Sequence, residues 1–139
     1  MQFTDNKAIY LQIGEFIQEK ILKREWQPDE RIPSVRDLAA SLSVNYNTII
    51  HTYEWLQQRE LIYDKRGLGY FVAPDALQKL IRERRHQLVS TLIPDVFKEM
   101  SLLDFSIAEL NELWTSEQKR DAGQAVESND DDKQDHIKT

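Results

Sequence analysis

Apolar positions recur through residues 8–24 at the spacing of one helical face: Ile9, Ile13, Phe16, Ile17 and Ile21, with Lys20 among them and polar residues between. That periodicity predicts an amphipathic helix. Trp26-Gln-Pro-Asp-Glu30 stops it, and Pro28 and Pro33 bracket Asp29–Ile32, a segment suited to pairing as an edge strand. Ser34-Val-Arg-Asp37 is a capping-box-like start, its serine oxygen able to take a free backbone N–H, and it predicts a short helix over about 34–41. After Ser41-Leu-Ser-Val44, Asn45 is a second N-cap. Ile49, Tyr53 and Leu56, at i, i+4 and i+7, give the helix that follows one buried stripe. Two short helices therefore meet across a turn of about three residues. Leu61-Ile-Tyr-Asp64 and Tyr70-Phe-Val72 are β-prone runs flanking Lys65-Arg-Gly-Leu-Gly69, whose glycines permit positive φ, so the pattern predicts a hairpin with a basic tip.

From Ala76 the pattern returns to helical spacing, with Leu77, Leu80, Ile81, Leu88 and Leu92 on one side, until Pro94 should kink or end the helix. Ser106-Ile-Ala-Glu109 is a full capping box opening another helix with Ile107, Leu110 and Trp114 on one side. Beyond Thr115 large apolar groups become few and Asn129-Asp-Asp-Asp132 appears, which predicts a disordered tail. No internal repeat is visible.

The chain of 139 residues has room for one ordinary domain and a small extension, and a separate large ligand-binding domain does not fit beside them. Without cysteine there is no disulfide framework, thiolate nucleophile or Cys-based zinc site, and His51, His86 and His136 lack chelating spacing. No cofactor is implied. The start lacks a basic region followed by an apolar stretch, and no run approaches the ~18 apolar residues of a membrane span, so the expected place is the cytoplasm, with no membrane partner. The net charge of −6 looks wrong for a nucleic-acid binder until it is divided along the chain. Residues 1–75 carry nine Lys/Arg against eleven Asp/Glu, and residues 76–99 carry five against three. Residues 100–115 carry none against three, and residues 116–139 four against seven, so the acid gathers at the C-terminal end.

The order helix, short strand, helix, turn, helix, glycine-tipped hairpin is that of a winged helix-turn-helix. Its words match a family too. Arg31-Ile-Pro-Ser-Val-Arg-Asp-Leu-Ala39, Leu42-Ser-Val-Asn-Tyr-Asn-Thr-Ile49, Tyr53-Glu-Trp-Leu56, Leu61-Ile62 and Gly67-Leu-Gly-Tyr-Phe-Val72 resemble the DNA-binding domain of GntR-type bacterial transcription regulators over about residues 8–73. The short helical remainder resembles the YtrA subfamily. The expected fold class is α+β, mostly α. It divides into a winged helix-turn-helix at 1–74, a helical dimerisation or effector region at 75–115, and a polar acidic tail at 116–139.

In a helix-turn-helix the N-terminal residues of the second helix approach base edges in the major groove. With Ile49, Tyr53 and Leu56 facing the core, Asn47, His51, Glu54 and Gln58 point the other way. Asn47 and His51 are the base-contact candidates, Thr48 on the flank suits a phosphate, and Asn45 is a cap first and a phosphate ligand second. The free N–H groups of the helix start attract phosphate. Arg36 matches the family's DNA-contacting arginine in the Pro-Ser-x-Arg word; its fork fits a guanine edge or a phosphate equally, and an ion pair with Asp37 is its rival role. Tyr46 stands where many relatives carry Arg and the short subfamily often Pro, so their base preference does not transfer. Lys65 and Arg66, beside Gly67 and Gly69, resemble a wing contact to the minor groove or phosphates; turn solubility is the bland alternative. Trp55 reads as packing.

One reading head covers a half-site only, so two copies are expected. Leu77, Leu80, Ile81, Leu88, Leu92, Phe97, Leu110 and Trp114 are the candidate dimerisation residues, within apolar stripes too large for so few residues to hide. The rival is that these helices fold back on their own winged domain. The expected function is a sequence-specific transcriptional regulator, commonly a repressor in this family. It would bind double-stranded DNA at a palindromic operator as a homodimer, with any small-molecule effector unknown. The alternative is a winged-helix protein–protein interaction module without DNA binding. An enzyme is not expected, since no nucleophile–base–orienter set can be named.

Overall fold

The computed structural model describes residues 1–4 and 6–137, with side chains through residue 124. In chain order it has α1 (Ile9–Leu22), α2 (Val35–Leu42), α3 (Tyr46–Gln58), β1 (Ile62–Lys65), β2 (Gly69–Val72) and α4 (Ala76–Gln87). A π-helical turn at Leu88–Leu92, α5 (Ile93–Leu102) and α6 (Ile107–Ile137) follow. The chain divides into two units, Met1–Leu88 and Val89–Thr139.

The first unit is built around the stripes that the sequence predicts. Ile13, Ile17 and Ile21 of α1 meet Ile49, Tyr53 and Leu56 of α3, and Leu61, Ile62 and Val72 of the hairpin close the core. Burying one such side chain contributes about 1.5–3 kcal/mol, which is what fixes these helix faces. Ile9, the first member of the α1 stripe, is left 45% exposed. Both predicted caps are present: Ser34 Oγ accepts the Asp37 N–H at 3.1 Å and Asn45 Oδ1 accepts the Asn47 N–H at 2.8 Å. Between α2 and α3, Ser43 adopts the left-handed conformation at φ 54°, which turns the chain within three residues. Polar atoms inside this unit are matched to carbonyls. The Tyr53 hydroxyl donates to the Pro33 carbonyl at 2.6 Å, and Thr52 Oγ1 lies 2.9 Å from the Thr48 carbonyl and 3.2 Å from that of Tyr10.

The hairpin pairs Ile62 with Val72, Tyr63 with Phe71, Asp64 with Tyr70 and Lys65 with Gly69. The expected edge strand sits on the other side of β2. Arg31 bridges Phe71, the Ile32 N–H donates to the Tyr70 carbonyl (2.9 Å) and the Val72 N–H to the Glu30 carbonyl (3.0 Å). Asp29, at φ 61°, is a bend rather than the first strand residue.

Two expectations change at α4. Leu80 is 1% exposed in the core of the first unit, Ala76 is fully buried there, and Leu77 packs against the same core. The first turns of α4 therefore belong to the winged unit, whose boundary falls after Leu88 rather than near 74. Leu80 is therefore a packing residue with no face left for a partner, while Leu77 is half-buried against the same core. Lys79 Nζ reinforces this docking by donating to the Arg59 carbonyl at the end of α3, at 2.8 Å.

The helix expected to be kinked or ended by Pro94 is interrupted just before it. Pro94 lacks the N–H that would reach Ser90, and its ring presses on that carbonyl in a regular helix. The π-helical turn at Leu88–Leu92 precedes it, and Pro94 enters α5 in the first turn, where a missing N–H leaves nothing unbonded.

In the second unit, α5 and α6 are joined by a corner at Asp104, φ 52°, and α6 opens with the complete capping box. The Ser106 N–H donates to Glu109 Oε2 (2.7 Å) and the Glu109 N–H to Ser106 Oγ (3.1 Å). The segment expected to be a disordered tail is helical from Ser116 to Ile137, and its described side chains are exposed. Glu, Gln, Lys, Arg and Ala are good helix formers, so the helix extends without an apolar face. The acidic run at Asp130–Asp132 lies past the described side chains, and Lys138 and Thr139 lie outside the described residues.

Candidate nucleic-acid interface

α2 and α3 hold the candidate residues outward because their opposite faces are locked in the core. Asn47, His51, Glu54 and Gln58 are all exposed on α3, as the periodicity requires. Asn45 is exposed while its side chain caps the helix, Tyr46 is 50% exposed, and Thr48 is half-buried. Arg36 is exposed near the start of α2 and makes no ion pair among the described residues, so its rival role with Asp37 is not formed. His51 is less free than its exposure suggests. Its ring stacks on Tyr10 of α1, with centroids 3.7 Å apart and planes 18° off parallel. The stack takes one face of the imidazole and leaves its edge to meet a partner.

The wing is joined to α3 through Tyr70. Its ring packs edge-on to Tyr53 at 4.9 Å, and its hydroxyl is held above the ordinary tyrosine range, first by partial burial and then by Asp64, Tyr46 and Glu54. The base of the hairpin thus adjoins the outer face of α3. At the tip, Lys65, Arg66 and Gly67 are exposed and Gly69 is half-buried. The Leu68 N–H closes the turn on the Lys65 carbonyl at 2.9 Å, Gly67 has φ 80°, and Lys65 Nζ lies 5.3 Å over the Phe71 ring.

Some participants escape a reading of the sequence. Gly14 is one. A Cβ there would sit 2.3 Å from Trp55 Cζ3, so the glycine lets α1 and α3 approach through the Trp55 ring. A glycine in the middle of a good helix, at a penalty of about 1 kcal/mol against alanine, was the available signal. Trp55 is indeed a packing residue, and Arg59 stacks on it at 4.8 Å. Tyr10, the partner of His51, carries no mark in the one-dimensional pattern, and Arg31 stands there only as the start of a family word, with nothing to place it beside the wing.

Of the remaining dimerisation candidates, Ile81 and Leu110 are half-buried within their own units, while Leu88, Leu92, Phe97 and Trp114 are exposed, Trp114 at 65%. Leu102, Leu103, Ile107 and Leu113 extend the exposed apolar surface of the second unit. Among the described residues, no group of His, Cys, Asp and Glu could hold a metal ion, and no helix is long and apolar enough to cross a membrane.

A capped two-helix corner whose second helix presents its start outward, backed by a basic hairpin, defines a winged helix-turn-helix DNA-binding domain. Residues 9–72 match the family of bacterial regulatory proteins called gntR. The chain is 32% identical over 111 residues to the HTH-type transcriptional regulator YhcF of Bacillus subtilis, covering 80% of this chain and 90% of that one. It is 30% identical over 112 residues to the HTH-type transcriptional repressor YtrA of the same organism, covering 78% and 82%. Among solved structures it resembles a GntR-family regulator from Bacteroides thetaiotaomicron, at 38% identity and TM-score 0.65 over 81% of this chain and 99% of that one. A GntR-family regulator from Listeria monocytogenes gives 30% and 0.67 over 82% and 98%. The chain belongs to the gntR family of bacterial transcription regulators, in its YtrA-like branch.

Proposed function

We propose that this protein is a cytoplasmic repressor that binds a palindromic operator as a homodimer, reading bases with Asn47 and His51 and holding phosphates with Arg36, Asn45, Tyr46, Thr48 and the wing from Lys65 to Gly69. The observation that carries the reading is the exposed, capped start of α3 flanked by cations that meet no carboxylate: Arg36, Lys65 and Arg66 make no ion pair among the described residues of an acidic chain. The exposed apolar face carried by Phe97, Ile107, Leu113 and Trp114 supports pairing of two copies, which sets two reading heads on two half-sites. The similarity to the repressor YtrA supports repression over activation. Any effector would act by shifting the population of dimers whose heads match the operator spacing.

The test is an anisotropy titration of labelled duplex across salt. Affinity should fall steeply, with a logarithmic slope of about −0.9 per phosphate contact. Asn47→Ala should cost about 1–3 kcal/mol on the operator and little on unrelated duplex, while Lys65→Ala should weaken every sequence alike. Salt-insensitive behaviour with no duplex bound would return the protein to the interaction-module reading.

A further inference from the structure

We infer that Arg31, outside the helix-turn-helix, is the third cation of the wing and contacts a DNA phosphate beside Lys65 and Arg66. The inference rests on the DNA-binding function proposed above and adds to it a residue on a different segment of the chain.

Arg31 bridges Phe71 across β2, and Tyr63 stacks on Phe71 from the other side at 5.6 Å. Residues directly opposite one another share a sheet face, as do residues two apart on one strand. Arg31, Phe71, Gly69, Tyr63 and Lys65 therefore lie on one face, while Ile62, Tyr70 and Val72 lie on the other, toward the core. Arg31 does not stop at its own level. Its guanidinium comes within 3.2 Å (Nε) and 3.6 Å (Nη2) of where a Gly69 Cβ would stand. Gly69 is two residues along β2 from Phe71, so the side chain runs about 7 Å toward the tip and delivers its charge there. Gly69 pairs with Lys65 on one side and has the Arg31 guanidinium on the other. The glycine is required by φ 109°, and a Cβ there would also press on the Arg31 guanidinium.

The nearby acids are engaged by other donors or lie on the other face. Glu30 Oε2 accepts the Gln27 N–H at 2.7 Å, Asp29 Oδ1 accepts the Tyr63 hydroxyl at 2.9 Å, and Asp64 pairs across to Tyr70 on the opposite face. Among the described residues Arg31 makes no ion pair and no side-chain hydrogen bond, and it is exposed. Arg31 and Lys65 flank Gly69 with Arg66 next in the turn, and none of the three makes an ion pair among the described residues, so their mutual repulsion in the free protein is relieved by a polyanion. A flexible arm against smooth backbone fits a phosphate rather than a base edge, so the contact is independent of sequence.

The experiment compares the full-length wild type with Arg31→Ala, Arg31→Lys and Lys65→Ala on two mixed-sequence duplexes of different base composition, each across a salt series. Thermal melting of every variant serves as the folding control. Arg31→Ala should lower the magnitude of the salt slope by about 0.9 and weaken both duplexes equally, and Arg31→Lys should restore the slope. An Arg31→Ala slope equal to wild type overturns the inference, while the DNA-binding reading stands on the wild-type titration. A loss confined to one duplex overturns the phosphate assignment in favour of base or groove-shape reading. If wild type binds neither duplex in a salt-dependent way, both readings fall together.

Discussion

Tyr53 and Gly14 show how single residues set the limits of the reading head. The Tyr53 phenol is buried and donates to the Pro33 carbonyl, and burial, followed by Tyr70, pushes its pKa far above the ordinary tyrosine range. The unfolded chain ionises this group near pH 10, whereas the folded chain keeps it neutral. The neutral hydroxyl's contribution is therefore complete below about pH 10 and is lost as pH rises above it. Denaturant midpoints measured from neutral to alkaline pH should fall steeply past that point, and Tyr53→Phe should flatten the fall. The same variant should lose about 1–3 kcal/mol at neutral pH, because the Pro33 carbonyl loses its donor. Gly14→Ala tests the helix contact. Its methyl would overlap the Trp55 ring, and overpacking of this kind costs about 1–3 kcal/mol, read as a lowered melting temperature.

At the scale of elements, what the sequence made legible was local. The Ser34, Asn45 and Ser106 caps, the α3 stripe and the glycine-tipped hairpin are each specified by residues within a few positions of one another, and each is found where the spacing puts it. The sides taken by α4 were not legible. Leu77, Leu80, Ile81, Leu88 and Leu92 form one stripe in projection, and only the tertiary fold decides that its first half packs inward and its second half stays exposed. The same holds for Arg31, whose bearing on the wing comes from a strand pairing some forty residues distant in sequence. The start of α6 was legible from its capping box, but its continuation past Thr115 was not, since helix formers without an apolar face leave no periodic signal. Leu80→Ala should therefore lower the stability of the winged unit by about 2–5 kcal/mol in denaturant titration, with the assembly state of the folded protein unchanged.

At the scale of the whole molecule, the proposed homodimer would divide the labour of operator recognition between the two units. The first holds the reading groups on a well-packed core, and the second carries apolar side chains that are exposed among the described residues. Phe97→Glu with Trp114→Glu should leave the melting of the winged unit intact, abolish pairing in sedimentation, and reduce operator affinity toward that of unrelated duplex. The closed capping box at Ser106–Glu109 adds a kinetic consequence. A first turn fastened by its own residues favours a helix already wound when a partner arrives, and association through α6 should then run at a rate set by diffusion and orientation, which stopped-flow mixing would read.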